Sequence, residues 1–380
     1  MSGRGRSVLV TGGAGLIGSH LVDRLLQMGC RVTILDSLES YTHPGGVAPS
    51  WLPGEAKMVH GGLLDRDALL DALQGVDRVY HQAAFTGFDS DSTAYLKANA
   101  AGTARLFDVI AEHRMPVRKI VVASSLSVYG EGAYGCETHG RQYPDMRAMQ
   151  RLRRGAWDPA CAECGAPLMW KPTPENAPTA PFTPYAVSKH AGEMLALSLG
   201  KRFEIPTVAL RYAVTYGPRQ STTNAYSTVI TTFASLLRNG CPPVLYEDGT
   251  QCRDWTYVDD IVSANLHVMQ DPRADFRSFN VGTGEAFSVR RVAELLAKKL
   301  GRSIEPLCRG EYRPGDIRNS VLDVARLKSL GWRPEVSLPE GLDRFLAWFE
   351  TLDEVEERYT ALEGRLREAG ELRAGSAGAG

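Results

Sequence analysis

Short apolar runs alternate with helix-period segments over the first half of the chain. Ser7-Val8-Leu9-Val10 reads as a buried parallel strand, as do Arg31-Val32-Thr33-Ile34-Leu35, Asp77-Arg78-Val79-Tyr80-His81 and Lys119-Ile120-Val121-Val122-Ala123. A helix is expected from Ser19 to Met28 and another from about Ala100 to Arg114. Strand-helix alternation of this kind predicts an α/β fold with a Rossmann-type doubly wound parallel sheet. After Gly217 the alternation breaks, and Thr228 to Asn239, Tyr246-Glu247-Asp248-Gly249 and Val289 to Gly301 read as a smaller C-terminal substrate lobe. The expected division is a main domain over 1–212, with 131–180 inserted and 254–283 returning to it. The lobe takes 213–253 and 284–350, and 351–380 form a solvated C-terminal helix and a disordered tail.

The first strand runs straight into Thr11-Gly12-Gly13-Ala14-Gly15-Leu16-Ile17-Gly18. Gly12 suits a tight turn, Gly15 lets backbone approach a pyrophosphate, and Gly18 allows close packing of helix on strand, with helix N-terminal amides facing the anion. The second strand ends in Asp36, about 20 residues on, where a carboxylate binds ribose hydroxyls and repels a 2'-phosphate. The cofactor read from this pattern is NAD rather than NADP, which makes 1–212 an NAD-binding domain. A net charge of -1 over 380 residues gives no basis for nucleic acid or a charged membrane as partner. No apolar run approaches the ~20 residues needed to span a bilayer. Seven cysteines without an export signal point to reduced thiols or metal ligands, and to the cytoplasm.

Tyr185-Ala186-Val187-Ser188-Lys189 places a phenol and an ammonium on one helix face. Tyrosine titrates near pH ~10, so an adjacent ammonium would favour phenolate and make Tyr185 a usable base near neutrality. Ser124 and Ser125 end the strand that faces the glycine turn, as cleft hydroxyls or as caps of their own turn.

Together with His81-Gln82-Ala83-Ala84, Asn99, Ser124-Ser125-Leu126-Ser127-Val128-Tyr129-Gly130 and Arg253-Asp254-Trp255-Thr256-Tyr257-Val258-Asp259-Asp260, these residues resemble the extended short-chain dehydrogenase/reductase family, specifically its nucleotide-sugar epimerase branch. The resemblance runs from about Ser7 to about Glu350. It implies an NAD-dependent nucleotide-sugar 4-epimerase acting on a dTDP- or UDP-hexose, by transient C4 oxidation to a 4-keto sugar and return of hydrogen to the other face. By the same resemblance Tyr185 is the general base, Lys189 binds the nicotinamide ribose, and Ser125 shares a hydrogen bond with the reacting hydroxyl. Leu16, Ile17, Leu63, Ala83, Asn99 and Tyr212 join Gly12, Gly15, Gly18, Asp36, Tyr185 and Lys189 at the cofactor. Thr86, Tyr246, Arg253, Arg313 and Asp316 join Ser125 and Tyr185 at the nucleotide-diphosphate sugar, and a homodimer is implied. A guanidinium fork suits phosphate oxygens, which fits Arg253 and Arg313. The alternatives are a nucleotide-4-keto-sugar reductase and a non-catalytic NAD-sensing protein.

Departures sharpen the reading. Gly61-Gly62 stands where the family has Gly-Asp, removing an adenine contact, and Ala213-Val214 stands where Phe-Asn is common. Relatives that eliminate water carry Asp-Glu just after the strand-end hydroxyl. Here Leu126 and Ser127 occupy those positions, which argues against 4,6-dehydration. The stretch from Ser125 to Tyr185, about 60 residues, is about twice what such a connection needs. Inside it, Cys136-Glu137-Thr138-His139 and Cys161-Ala162-Glu163-Cys164 form two chelating pairs, predicting a closed structural zinc site of Cys136, His139, Cys161 and Cys164. A cysteine-bearing insert of this kind looks like the dTDP-L-rhamnose 4-epimerase group. Arg147, Arg151, Arg153 and Arg154 read as a solvated helix face.

Overall fold

The computed structural model describes residues 5–86, 92–224 and 228–375. Its centre is a seven-stranded, all-parallel sheet of β1 (Ser7–Thr11), β2 (Arg31–Asp36), β3 (Lys57–His60), β4 (Arg78–His81), β5 (Lys119–Ser125), β6 (Thr207–Tyr212) and β7 (Arg277–Val281). The strand order is β7-β6-β5-β4-β1-β2-β3, so the direction of winding reverses between β1 and β4. Apolar residues run continuously along these strands because both faces are covered. Val8 and Val10 enter one core with Leu21, Val22 and Leu25 of α1 (Leu16–Gln27), while Leu9 enters the other with Leu106, Phe107 and Ile110 of α3 (Gly102–Glu112). A short helix, α2 (Arg66–Ala72), lies beside α3. Helix α1 begins three residues before the expected Ser19, inside the glycine turn, with Gly15 as its N-cap.

Helix α4 (Pro184–Arg202) carries Tyr185 and Lys189 and packs on α3 and β5. Thr183 caps it, its hydroxyl accepting from the Ala186 amide at 3.2 Å, and Pro184 sits at the first turn where no amide is needed. Residues 254–283 supply helix α5 (Val258–Gln270), packed against α1, and the edge strand β7. Beyond the sheet, the helices Val229–Arg238, Val289–Lys299 and Leu338–Phe349 share the apolar core of the α1 face, so the lobe and the sheet bury one continuous interior.

The inserted segment folds around a small antiparallel sheet in which Tyr134–Cys136 lies between Gly140–Gln142 and Met169–Trp170. The C-terminal helix Tyr359–Glu368 is not simply solvated: Leu362, Leu366 and Leu372 bury themselves against Tyr246. Arg373–Ala374, expected within the tail, pairs antiparallel with Glu311–Tyr312. The charges of Glu363 and Arg367 masked this apolar stripe in the sequence. The remainder of the expected tail, 376–380, lies outside the described residues.

Candidate active site

A cleft of about 780 Å³ opens at the carboxyl ends of the strands, where the winding reverses. Gly12, Gly15, Leu16, Ile17, Gly18, Asp36, Leu63, Ala83, Thr86, Ser125, Tyr185 and Tyr212 all line it, as expected from the sequence. Gly12 has a φ of +68°, and a Cβ on it would lie 2.7 Å from the Ala83 backbone. At Gly18 a Cβ would sit 2.0 Å from the Gly12 carbonyl oxygen. Gly15, by contrast, faces open space on the cleft side, its nearest neighbour being that same oxygen at 3.5 Å. No side chain caps α1, so its first amides are directed at the cleft.

Asp36 is held in place at the rim. Its carboxylate accepts from the Ala14 amide at 2.9 Å and from the Leu38 amide at 2.9 Å, which leaves further lone pairs for a ribose. The cleft thus fits a dinucleotide: a glycine turn for a pyrophosphate and a fixed carboxylate for an adenosine ribose. Gly62 faces open space and offers only backbone where the family places an acid.

Behind the wall, His81 Nδ1 lies 2.8 Å from Thr11 Oγ1 and Nε2 lies 2.9 Å from Thr103 Oγ1. Burial, joined by the Lys189 charge, lowers the His81 pKa to about 3, so the ring is neutral. Thr103 donates onward to the Asn99 carbonyl, and Thr11 Oγ1 accepts from the Ala83 amide. Asn99 was expected at the cofactor. Its amide side chain is spent on the Phe85 backbone, at 2.7 and 3.1 Å, and on the Ser188 hydroxyl at 3.0 Å. It therefore supports the wall from a π-helical turn, Leu96–Ala101, rather than facing the cleft.

Ser125 and Tyr185 both line the cleft floor, with the Ser125 side chain close enough to act on the Tyr185 phenol. Ser125 Oγ also accepts from the Ser127 amide at 3.2 Å and the Ser127 hydroxyl at 2.9 Å. The Tyr95 ring lies edge-on to Tyr185 at 6.1 Å. The expected tuning of the phenol by lysine is not what the structure gives. Burial raises the Tyr185 pKa and the neighbouring Ser125 side chain opposes that rise. Lys189 Nζ instead donates to the Ala123 carbonyl at 2.5 Å, under the end of β5, and burial brings its own pKa down to about 8. Ser124 is a structural hydroxyl, donating to Glu193 at 2.5 Å. Glu193 in turn holds Arg211 at 2.6 Å, and Arg211 donates to the Tyr129 hydroxyl at 2.7 Å. Glu193 was not anticipated, although it sits four residues after Lys189 on the same face.

Tyr246, Arg253, Arg313 and Asp316 do not line this cleft. They are grouped in the smaller lobe, where Tyr246 feels both Arg313 and Asp316, and Arg253 feels Asp316. Arg253 donates to the Ile317 carbonyl at 2.7 Å and to the Arg318 carbonyl at 2.9 Å. Tyr246 is covered by Tyr359 of the C-terminal helix, the hydroxyls 3.2 Å apart.

The insert brings its two chelating pairs together. The ligand atoms of Cys136, His139, Cys161 and Cys164 all lie within 4.8 Å of one another. Cys136 Sγ is 3.6 Å from His139 Nδ1 and 3.7 Å from Cys164 Sγ, and Cys161 Sγ is 3.4 Å from His139 Nδ1. A tetrahedral zinc with bonds of about 2.3 Å to sulfur and about 2.0 Å to nitrogen spaces its ligands by roughly 3.5–3.8 Å, which these three separations approach. Amides of Cys164 and Glu163 favour thiolate at Cys161, and those of His139 and Thr138 do so at Cys136.

The chain matches the model of the NAD dependent epimerase/dehydratase family over residues 8–147 and 161–282. The unmatched stretch between them falls inside the insert. Among curated proteins it is similar to a dTDP-L-rhamnose 4-epimerase of Burkholderia thailandensis, 32% identical over 90% of this chain and 95% of the relative. Among solved structures it is similar to a Thermotoga maritima UDP-glucose 4-epimerase with UDP-glucose, TM-score 0.75 at 29% identity, covering 90% of this chain and 98% of the other. It is also similar to a Thermus thermophilus UDP-glucose 4-epimerase complexed with NAD, TM-score 0.69 at 28% identity, covering 91% and 99%. With a glycine turn, a carboxylate at the end of the second strand and a serine–tyrosine pair in one cleft, the chain belongs to the NAD dependent epimerase/dehydratase family.

Proposed function

We propose that the protein is an NAD-dependent nucleotide-sugar 4-epimerase acting on a dTDP- or UDP-hexose. The observation that carries this reading is the meeting of Ser125 and Tyr185 hydroxyls on the floor of a dinucleotide cleft, with Leu126 and Ser127 where a dehydrating enzyme needs an acid and a base. NAD, when bound, supplies a reversible acceptor for the hydrogen at the sugar's C4. Tyr185 takes the proton of the C4 hydroxyl and later returns it, and Ser125 holds that hydroxyl in line. Lys189 and Asp36 anchor the nicotinamide and adenosine riboses. Arg253 and Arg313 hold the diphosphate end, with Tyr246 and Asp316 beside them. The test is the fate of the C4 hydrogen without added NADH.

Asp36 supports NAD over NADP, because a 2'-phosphate would meet a buried carboxylate. At least about tenfold tighter binding of NAD, about 1.4 kcal/mol, is the expected result of calorimetric titration. Equal affinities would remove Asp36 from the cofactor reading.

The Cys/His cluster supports a structural zinc that organises the insert, all four ligand positions being protein side chains. Val187 and Met194, seven residues apart on α4, are 43% and 59% exposed, and Leu96 on the turn packed against α4 is 44% exposed. This apolar face supports a homodimer. Seven cysteines without a disulfide framework support a cytoplasmic protein, and among the described residues no helix is long and apolar enough to cross a membrane. Native mass spectrometry is expected to give a two-chain assembly carrying one zinc per chain. A metal-free assembly refutes the zinc, and a single chain at micromolar concentration refutes the dimer.

A further inference from the structure

We infer that the insert 131–180 is a clamp on the loop Arg313–Asp316, with Arg147 as its positioning residue; the inference rests on the proposed role of that loop in holding a nucleoside diphosphate. Arg147 was expected on a solvated helix face, yet its side chain is 3% exposed. Its guanidinium reaches four separate segments. Nε donates to Glu131 Oε1 at 3.0 Å at the root of the insert, and Nη1 to the Trp157 carbonyl at 2.9 Å in the insert's second half. Nη2 donates to the Asp316 carbonyl at 2.7 Å and pairs with Glu247 of the smaller lobe at 2.7 Å. A buried cation costs several kcal/mol unless fully paired, so a side chain satisfied at this many points fixes the geometry of what it joins.

The loop is held at its far end as well. The Arg318 amide donates to Glu131 Oε2 at 2.9 Å, and its guanidinium pairs with Asp158 of the insert at 2.9 Å and Glu247 at 2.8 Å. The Ile317 carbonyl between these two anchors and the Arg318 carbonyl at the second both accept from Arg253. Displacing the loop therefore displaces the cation. The same loop abuts the catalytic helix: a Cβ at Gly315 would sit 3.8 Å from the Thr183 methyl, the N-cap two residues before Tyr185.

The Cys/His cluster closes this arrangement. Arg147, Trp157 and Asp158 all lie between the Cys136/His139 pair and the Cys161/Cys164 pair, so joining the pairs closes a loop that carries the whole clamp. Insert and metal act on the nucleotide end of the substrate, and the dinucleotide cleft is built without them.

Binding of dTDP and UDP by calorimetry tests this directly, with NAD affinity measured alongside. Arg147→Met is expected to weaken the nucleotide bound by wild type about tenfold or more, leave NAD affinity within about twofold, and raise KM for the sugar nucleotide more than it lowers kcat. Arg147→Lys should recover part of the loss by keeping the charge, and Cys164→Ser, at an exposed ligand, should weaken the nucleotide in the same direction. Unchanged nucleotide affinity in Arg147→Met overturns the clamp. So does a wild type that binds neither nucleotide. If Arg147→Met does not fold, wild-type affinity in both Arg147→Lys and Cys164→Ser overturns it. Nucleotide affinity that falls as expected in a protein that epimerises no sugar contradicts the epimerase reading and leaves the clamp standing.

Discussion

Tyr185→Phe is expected to lower turnover about 100-fold or more while NAD affinity changes by less than about twofold. The substitution removes one hydroxyl and keeps the ring, so the edge-on contact with Tyr95 and the start of α4 survive. What is lost is the phenol hydroxyl beside Ser125 at the cleft floor. Lys189→Ala should damage both turnover and NAD binding, since its ammonium lies under the end of β5 next to the cleft, bound to the Ala123 carbonyl. Steady-state kinetics and calorimetry on the two variants separate these effects. A Tyr185→Phe enzyme with near-normal turnover would remove the tyrosine from the chemistry.

Much of the dinucleotide half is legible in the sequence because its chemistry is local. A glycine whose Cβ would strike a carbonyl 2.0 Å away, or an acid at the end of the second strand, is fixed by a few neighbours in the chain. Alternation of apolar strands and amphipathic helices likewise follows from burying both faces of one sheet. The Cys136/His139 and Cys161/Cys164 pairs are legible for the same reason, each being a chelate of short spacing.

Contacts that depend on tertiary placement are not legible. Tyr185 and Lys189 share a helix face, as their spacing requires, but whether the ammonium reaches the phenol depends on where Ala123 lies, and that is set by the packing of α4 on β5. The buried face of α4 is itself polar, with Ser188, Lys189 and Glu193 in it, so hydrophobic periodicity gives no sign of the Glu193–Arg211 network beneath the site. Arg147 shows the same limit from the other side. In sequence it is one of four arginines near a short helix; the partners brought by Glu131, Trp157, Glu247 and Asp316 distinguish it from its less buried neighbours. The docked C-terminal helix was hidden in a similar way, its leucines scattered among charges.

The central claim is isomerisation at C4 without net redox, and the C4 hydrogen reports on it most directly. Ser125, Tyr185 and Lys189 are present, and the acid–base pair for dehydration is absent from Leu126 and Ser127. A C4-deuterated dTDP- or UDP-hexose, incubated without added NADH, is therefore expected to yield a product of the same mass, with deuterium retained at C4 and its configuration inverted, as read by mass spectrometry and NMR. Loss of the label to solvent, a product lighter by one water, or a requirement for stoichiometric NADH would each contradict the account, the last in favour of a 4-keto-sugar reductase.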